Sequence, residues 1–173
     1  MLMIRLLSCA LIMLCSAKIG FEEAKKYTRR VKEIRDFQAA LIALKGEICF
    51  CKSPLPEALI RTGEKLKTDV AKIFLKAGEN LKKTSKSTKA VWEDAVFSAR
   101  RNLSMKNEEI YIINAFGNLL GISDEAGQLE NIELTTAKLI SCEKQAIEDE
   151  QKNVKLYKSL GIVAGIFLSI IFI

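Results

Sequence analysis

Side chains that could perform chemistry are few, and they are not grouped as catalysis requires. The 173-residue chain contains no His, which excludes a Ser-His-Asp or Cys-His nucleophilic pair and any His-ligated zinc. It also contains no G-x-x-x-x-G-K-[ST] loop, so it is not a P-loop ATPase. Glu47 and Glu57 flank a predicted turn, but nothing nearby supplies the partners that a catalytic carboxylate pair needs. We therefore predict that the chain is not an enzyme and binds no cofactor.

The cysteines lack the spacing of a metal site. Cys49 and Cys51 form a single C-x-C pair, with no second pair at zinc spacing. An odd number of cysteines without a framework indicates free thiols in a reducing compartment. We predict no metal site. The five cysteines are Cys9, Cys15, Cys49, Cys51 and Cys142.

The hydrophobic pattern predicts an all-α fold of about six helices, with no period-2 strand. Its clearest element is a heptad stripe at 3,4,3,4 spacing, which marks the buried face of the first long helix. That stripe comprises Ile34, Phe37, Leu41, Leu44 and Ile48. Only two Pro and nine Gly interrupt the chain, which argues against a loop-rich or all-β protein.

Local signals predict the helix ends. Ser53 is expected to cap the second helix, with Pro54 in its first position and Glu57 in its first turn. Asn107 is expected to cap a later helix, which should end at Gly121 as the C′ residue. The buried face of that helix is predicted to contain Ile110, Ile113, Phe116, Leu119 and Leu120. Ser123, followed by Asp124, should start the last helix.

The two ends of the chain are apolar. Residues 156–173 contain 15 consecutive uncharged positions, from Ser159 to Ile173, and are predicted to form a C-terminal transmembrane anchor. Residues 1–21 are predicted to form an N-terminal anchor if Arg5 and Lys18 snorkel. Residues 22–155 are then a helical domain, predicted to be a bundle. Gly161 and Gly165 offer a small-xxx-small face to another membrane helix, or are simply two small residues in a short span.

Basic residues flank both predicted anchors on their inner sides, which predicts that the middle of the chain is cytoplasmic and both termini lie across the membrane. The alternative is an exported helical protein with a cleaved signal peptide and a C-terminal membrane tail, because Cys15-Ser16-Ala17 loosely resembles a cleavage site. Export would carry the basic middle across the membrane, against the positive-inside rule.

Charge is unevenly distributed along the middle region. Residues 18–102 contain 20 basic and 11 acidic side chains, whereas residues 103–158 contain 6 and 10. Most of these charges are expected on solvated surfaces. Six of the basic residues are candidates for a patch that faces a partner or lipid headgroups. They are Lys82, Lys83, Lys86, Lys89, Arg100 and Arg101. Nucleic acid is not a predicted partner, because aromatic residues are not interleaved with the basic ones.

Three stretches of sequence resemble a known family. They are A-K-K-Y-T-R-R-V-K-E-I-R-D-F-Q-A-A-L-I-A-L-K-G-E-I (24–48), S-P-L-P-E-A-L (53–59) and F-G-N-L-L-G-I-S-D-x-x-x-Q (116–128). In this order between two apolar ends, they resemble the stage III sporulation protein AB family of endospore-forming bacteria along essentially the whole chain. The matching motif residues are Ser53, Pro54, Leu55, Pro56 and Glu57, with Gly121, Ser123, Asp124 and Gln128. The run Cys49-Phe50-Cys51-Lys52 departs from the Tyr-containing turn expected there.

The resemblance implies a structural or adaptor subunit of the secretion-like channel between mother cell and forespore. The family is similar to the platform domain of type II secretion and type IV pilus systems. It would lie in the mother-cell-derived membrane around the forespore, with its soluble domain in the cytoplasm. The implied partners are a secretion-type sporulation ATPase, the other membrane components of the channel and the lipid bilayer.

Overall fold

A computed structural model describes residues 2–121 and 124–172 of the chain, with side chains from 11 to 121 and from 124 to 170. The described ranges contain six α-helices, one 3-10 turn at Arg100–Asn102 and no strand, which confirms the predicted all-α class. The helices are α1 (Leu2–Cys49), α2 (Leu55–Glu64), α3 (Ala71–Lys83), α4 (Thr88–Ala99), α5 (Asn107–Phe116) and α6 (Glu125–Phe172).

The chain forms two compact units. The terminal unit combines Met1–Val31 with Gln145–Ile173, and the central unit is Lys32–Lys144. These boundaries rest on spatial contacts, whereas the predicted boundaries at 21/22 and 155/156 rest on composition, so the latter remain predictions.

An aromatic cluster forms the core of the central unit. The indole ring of Trp92 lies edge-on to Phe37, Phe74 and Phe116, with ring centroids 6.4, 5.4 and 5.4 Å away. The buried indole N–H donates a 2.8 Å hydrogen bond to the carbonyl of Ile113, so its polar atom is satisfied. The heptad stripe of α1 is confirmed as core, because Ile34, Phe37, Leu41 and Leu44 are fully buried and Ile48 is half-buried.

The end of α5 differs from the prediction. The helix stops at Phe116, and residues 117–121 continue as turns. Since a 3.6-residue period no longer sets side-chain direction there, Leu119 is 49% exposed although Leu120 is buried. The start of α5 differs as well. Lys106 is the N-cap residue, and the Asn107 side chain accepts a 2.6 Å hydrogen bond from Arg100.

Within the terminal unit, the first part of α1 and the last part of α6 pack as an antiparallel pair. Gly20 lies against Gly161, where a Cβ on either residue would approach backbone atoms of the other helix within 3.0 Å. Gly161 and Gly165 therefore do present a small-residue face to a neighbouring helix, which is α1. Farther along the pair, the rings of Tyr27 and Tyr157 stack with centroids 5.7 Å apart.

Only one helix of the described residues, α6, is long and apolar enough to cross a membrane. The segment is Glu125–Ile170, and its most apolar part is largely exposed. This finding supports the predicted C-terminal span by length and composition. The predicted N-terminal span depends largely on residues 1–10, whose side chains lie outside the described part of the chain.

Candidate functional site

Three turns of the central unit meet at Gly121. Its φ of +77° lies in the left-handed region that favours glycine, but Gly121 is not the predicted C′ residue of α5, because that helix ends at Phe116. A Cβ there would lie 2.9 Å from Leu55 Cδ2 and 3.1 Å from Thr88 Oγ1. Leu55 begins α2 and Thr88 begins α4, so the α1–α2, α3–α4 and α5–α6 turns are in contact. We call the surface formed by the described residues of these turns and by the adjoining helix ends the three-turn surface. It comprises residues 50–57, 82–89, 117–121 and 124–128.

The α1–α2 turn is held by Glu47, whose side chain is buried. Its carboxylate accepts hydrogen bonds from Lys65 Nζ at 3.0 Å, Ser53 Oγ at 3.2 Å and Arg61 Nη1 at 3.5 Å. Its backbone carbonyl accepts a 3.1 Å bond from the Ser53 N–H. The hydrogen bond from Lys65, helped by Ser53 and Arg61, lowers the pKa of Glu47 despite the opposing effect of burial. The turn that carries the S-P-L-P-E motif is therefore fixed by charge-assisted bonds.

Two helix-start predictions in this motif are wrong. Ser53 does not cap α2, because its hydroxyl donates to Glu47 and makes no capping bond. Pro54 occupies the N-cap position in its place, so the first helical residue is Leu55. The carbonyl of Pro54 accepts hydrogen bonds from the N–H groups of Glu57 and Ala58, at 2.9 and 3.0 Å. Glu57 does lie in the first turn of α2, as predicted.

Glu57 connects the motif to the α3–α4 turn. Its carboxylate forms a 3.7 Å ion pair with Lys82, and both side chains are nearly half exposed. A groove of about 340 Å³ lies beside the pair, lined by Glu57, Ile60, Arg61, Glu64 and Lys82. Glu47 and Glu57 thus pair with different cations, Glu47 with Lys65 and Arg61 and Glu57 with Lys82.

The two motifs also meet directly. A second groove, of about 210 Å³, is lined by Ile48, Ser53, Leu55, Glu125 and Gln128. An ion pair between Lys52 and Glu125 spans the same two turns. Asp124 caps α6, because its carboxylate accepts a 2.9 Å bond from the Gly127 N–H. Ser123, which was predicted to start this helix, lies outside the described residues.

The six candidate basic residues separate into two groups. Lys82, Lys83, Lys86 and Lys89 surround the α3–α4 turn, whereas Arg100 and Arg101 follow the other end of α4. Lys89 and Arg100 are about 16 Å apart along the helix axis, at 1.5 Å per residue. Lys86 pairs with Asp94 at 3.3 Å and Lys89 with Glu93 at 4.0 Å, both on exposed surface. Such exposed pairs contribute little to stability, and the side chains of Lys86 and Lys89 remain more than half exposed.

The sequence analysis did not predict the exposure of Phe50 or the role of Glu47 in holding the α1–α2 turn. Phe50 is 87% exposed at the tip of the α1–α2 turn, beside an exposed Cys51 and a half-buried Cys49. The burial of Glu47 could have been predicted from helical spacing, because it lies three residues after Leu44 and therefore on the buried side of α1. The exposure of Phe50 could not, because the heptad pattern ends with the helix at Cys49. The described side chains contain no group of three or more potential metal ligands.

The described residues define a class: an all-helical protein with one helix long and apolar enough to cross a membrane, and with its motif residues on the three-turn surface. Comparison with known proteins gives the family. The family model for stage III sporulation protein AB matches residues 5–173. The chain belongs to the stage III sporulation protein AB family, which confirms the resemblance seen in the sequence. It is a family of sporulation structural proteins, not a known family of enzymes.

Individual relatives agree with this assignment. Stage III sporulation protein AB of Bacillus subtilis (strain 168) is 36% identical over 166 residues, which cover 96% of this chain and 97% of that protein. A solved structure of stage III sporulation protein AB matches with a TM-score of 0.67 and 31% identity. The match covers 72% of this chain and 98% of the solved chain.

Proposed function

We propose that the chain is a membrane-anchored platform subunit of a secretion-like complex, the channel between mother cell and forespore, and that it docks the secretion-type ATPase of that complex. The observation that carries the proposal is the meeting of both family motifs at Gly121, where Leu55 and Thr88 pack. Loops held in place by a rigid scaffold are common sites of protein binding, because little order is lost when the partner binds. The other membrane components of the channel are further proposed partners. Neither catalysis, a cofactor nor nucleic acid has a part in this role.

Two membrane spans and a cytoplasmic helical bundle complete the proposal. The C-terminal span is supported by the length and hydropathy of α6. The N-terminal span is supported by the close packing of Gly20 on Gly161 and by the outward apolar side chains Leu11 and Leu14, which are 65% and 70% exposed. Basic residues on the inner flanks favour a cytoplasmic position for residues 22–155. We place the protein in the mother-cell-derived membrane, as the family resemblance implies.

A binding experiment with the full chain in nanodiscs tests the docking role. The wild-type protein should retain the sporulation ATPase of the same organism without added nucleotide. Glu57→Lys should weaken retention about tenfold, because it breaks the pair with Lys82 on the three-turn surface. Glu79→Lys on the exposed side of α3 makes the same charge change elsewhere and is the matched control. Equal retention by both variants, or none by the wild type under gentle salt, would contradict the proposal.

Export with cleavage after Ala17 remains the competing function. It would remove Ser16, whose hydroxyl donates a 2.7 Å bond to the carbonyl of Gly161. That bond favours retention of the first segment. Mass spectrometry of the protein purified from sporulating cells distinguishes the two, since an N-terminus at Met1 or Leu2 rules out cleavage.

A further inference from the structure

The outward side of the α1–α6 pair in the central unit is bounded by two ion pairs. Arg35 Nε lies 2.7 Å from Glu143 Oε1, and Lys45 Nζ lies 2.8 Å from Glu133 Oε1. Gln38 adds a 3.1 Å hydrogen bond to Glu143. Arg35 and Lys45 are as far apart on α1 as Glu143 and Glu133 are on α6. The two helices are therefore antiparallel, and their register is fixed at both ends of this region.

Apolar and small residues fill the space between these pairs. Ile42 is 66% exposed and Ile140 is 45% exposed. Their exposed neighbours toward the ion pairs are Ala39 on α1 and Ala137 on α6. A Cβ added at Gly46 would meet no atom within 4 Å, so this side of α1 is uncovered. We call this region the outer face; its members are Arg35, Ala39, Ile42, Lys45 and Gly46 with Glu133, Ala137, Ile140 and Glu143.

We propose that the outer face binds the outer face of a second copy of this chain, forming a two-fold symmetric dimer with its axis parallel to α1 and α6. This geometry rests on the proposed function, because two copies inserted in one membrane share their orientation. Rotation about such an axis leaves the position of each residue along the axis unchanged, and we call this position the height of the residue. The rotation sets α1 of one copy against α6 of the other.

On the outer face, large side chains of one copy lie at the same height as small side chains of the second copy. From the register of the ion pairs, Ile42 is within one residue of the height of Ala137, and Ile140 is within one residue of the height of Ala39. In the dimer, each isoleucine then lies over an alanine of the second copy, so large and small side chains interlock as helix packing requires. A two-fold interface uses the same patch on both copies, which this pattern satisfies.

Charge complements the same arrangement. Arg35 lies at the height of Glu143 of the second copy, and Lys45 lies at the height of Glu133 of the second copy, so each ion pair can be shared across the interface. Confinement to one membrane raises the effective concentration of the copies, so a modest interface suffices for association.

Cysteine cross-linking of the full chain tests this arrangement. In a background without the five native cysteines, one tagged copy carries Ala39→Cys and a differently tagged copy carries Ile140→Cys. Reconstituted together in vesicles and oxidised, they should form a disulfide-linked heterodimer. The control pairs Ile140→Cys with Phe97→Cys, a 78% exposed position on α4 that should not cross-link. Equal cross-linking by both pairs, or by neither, would overturn the proposal.

The mass of the protein in detergent gives a second readout that keeps the native cysteines. Ile42→Glu should lower the dimer fraction about tenfold, whereas Phe97→Glu should leave it unchanged. A monomeric wild type at every concentration, or a dimer insensitive to Ile42→Glu, would overturn the proposal. Membrane insertion is measured separately by vesicle flotation, so a failure of the proposed function is distinguished from a failure to dimerise.

Discussion

Ser16 Oγ donates a 2.7 Å hydrogen bond to the backbone carbonyl of Gly161, joining α1 to α6 within the terminal unit. The bond is possible because Gly20 and Gly161 let the helix backbones approach closely. Small residues and interhelical hydrogen bonds are the main means by which helices associate where water is absent. These contacts are the kind expected if the two predicted anchors lie side by side in a membrane.

Gly161→Val should separate the terminal helices. The new side chain would enter a space where even a Cβ lies 3.0 Å from Gly20 Cα and from the Ser16 carbonyl oxygen. The measurement is disulfide formation between Tyr27→Cys and Tyr157→Cys, whose rings are stacked in the native chain. Ala164→Val, on the exposed side of the same turn, is the control. An undiminished disulfide yield in Gly161→Val would contradict the packing.

Two glycine-to-alanine changes should have opposite effects on the central unit. At Gly117, a Cβ would lie 2.3 Å from Trp92 Cδ1, so Gly117→Ala should destabilise by about 1–3 kcal/mol as overpacked cores do. At Gly46, no atom lies within 4 Å, so Gly46→Ala should stabilise α1 by about 0.5–1 kcal/mol. Denaturant unfolding followed by circular dichroism measures both, and equal effects would refute the geometry around Trp92.

Acid should weaken the central unit partly through Glu47. Because its pKa is lowered in the folded state, the ionised carboxylate contributes stability that is complete above its unfolded pKa, about 4.3. That contribution is lost as the pH falls through the folded pKa. Glu47→Gln should therefore lower stability at pH 7 and flatten the pH dependence below about pH 4. The comparison is Glu79→Gln, and the same acid profile in both variants would exclude this role of Glu47.

The stability of the terminal unit should depend on the ion pair between Arg30 and Asp149. The two form a 2.7 Å ion pair in the terminal unit, with the Arg30 side chain 4% exposed and the Asp149 side chain 33% exposed. Asp149→Ala leaves a buried guanidinium short of its carboxylate, so we expect a loss of about 1–3 kcal/mol, reduced from the fully buried case by the access of water. Thermal unfolding in detergent measures it against Glu148→Ala at an exposed position. An equal or smaller loss in Asp149→Ala than in Glu148→Ala would refute the role of this ion pair.

The sequence predicted what depends on local pattern. Periodicity identified the buried face of α1. Gly121 has the left-handed conformation of a C′ glycine, but it lies beyond the end of α5, because that helix stops at Phe116. The cap of α2 was misplaced, because the competitor for the Ser53 hydroxyl, Glu47, lies in the preceding helix. The four lysines and two arginines were predicted to form one patch, although α4 places the lysines at its beginning and Arg100 and Arg101 after its end. The contact of Leu55 with Gly121 joins residues far apart in the chain and depends on how the helices pack.

The exposed thiol of Cys51 has a practical consequence. It stands next to Phe50 at the tip of the α1–α2 turn, whereas Cys142 is buried and Cys15 lies in the segment proposed to be within the bilayer. A charged, water-soluble maleimide should therefore react fastest at Cys51. An environment-sensitive fluorophore attached there would report the arrival of any protein at the three-turn surface, in real time and without a single substitution in the chain.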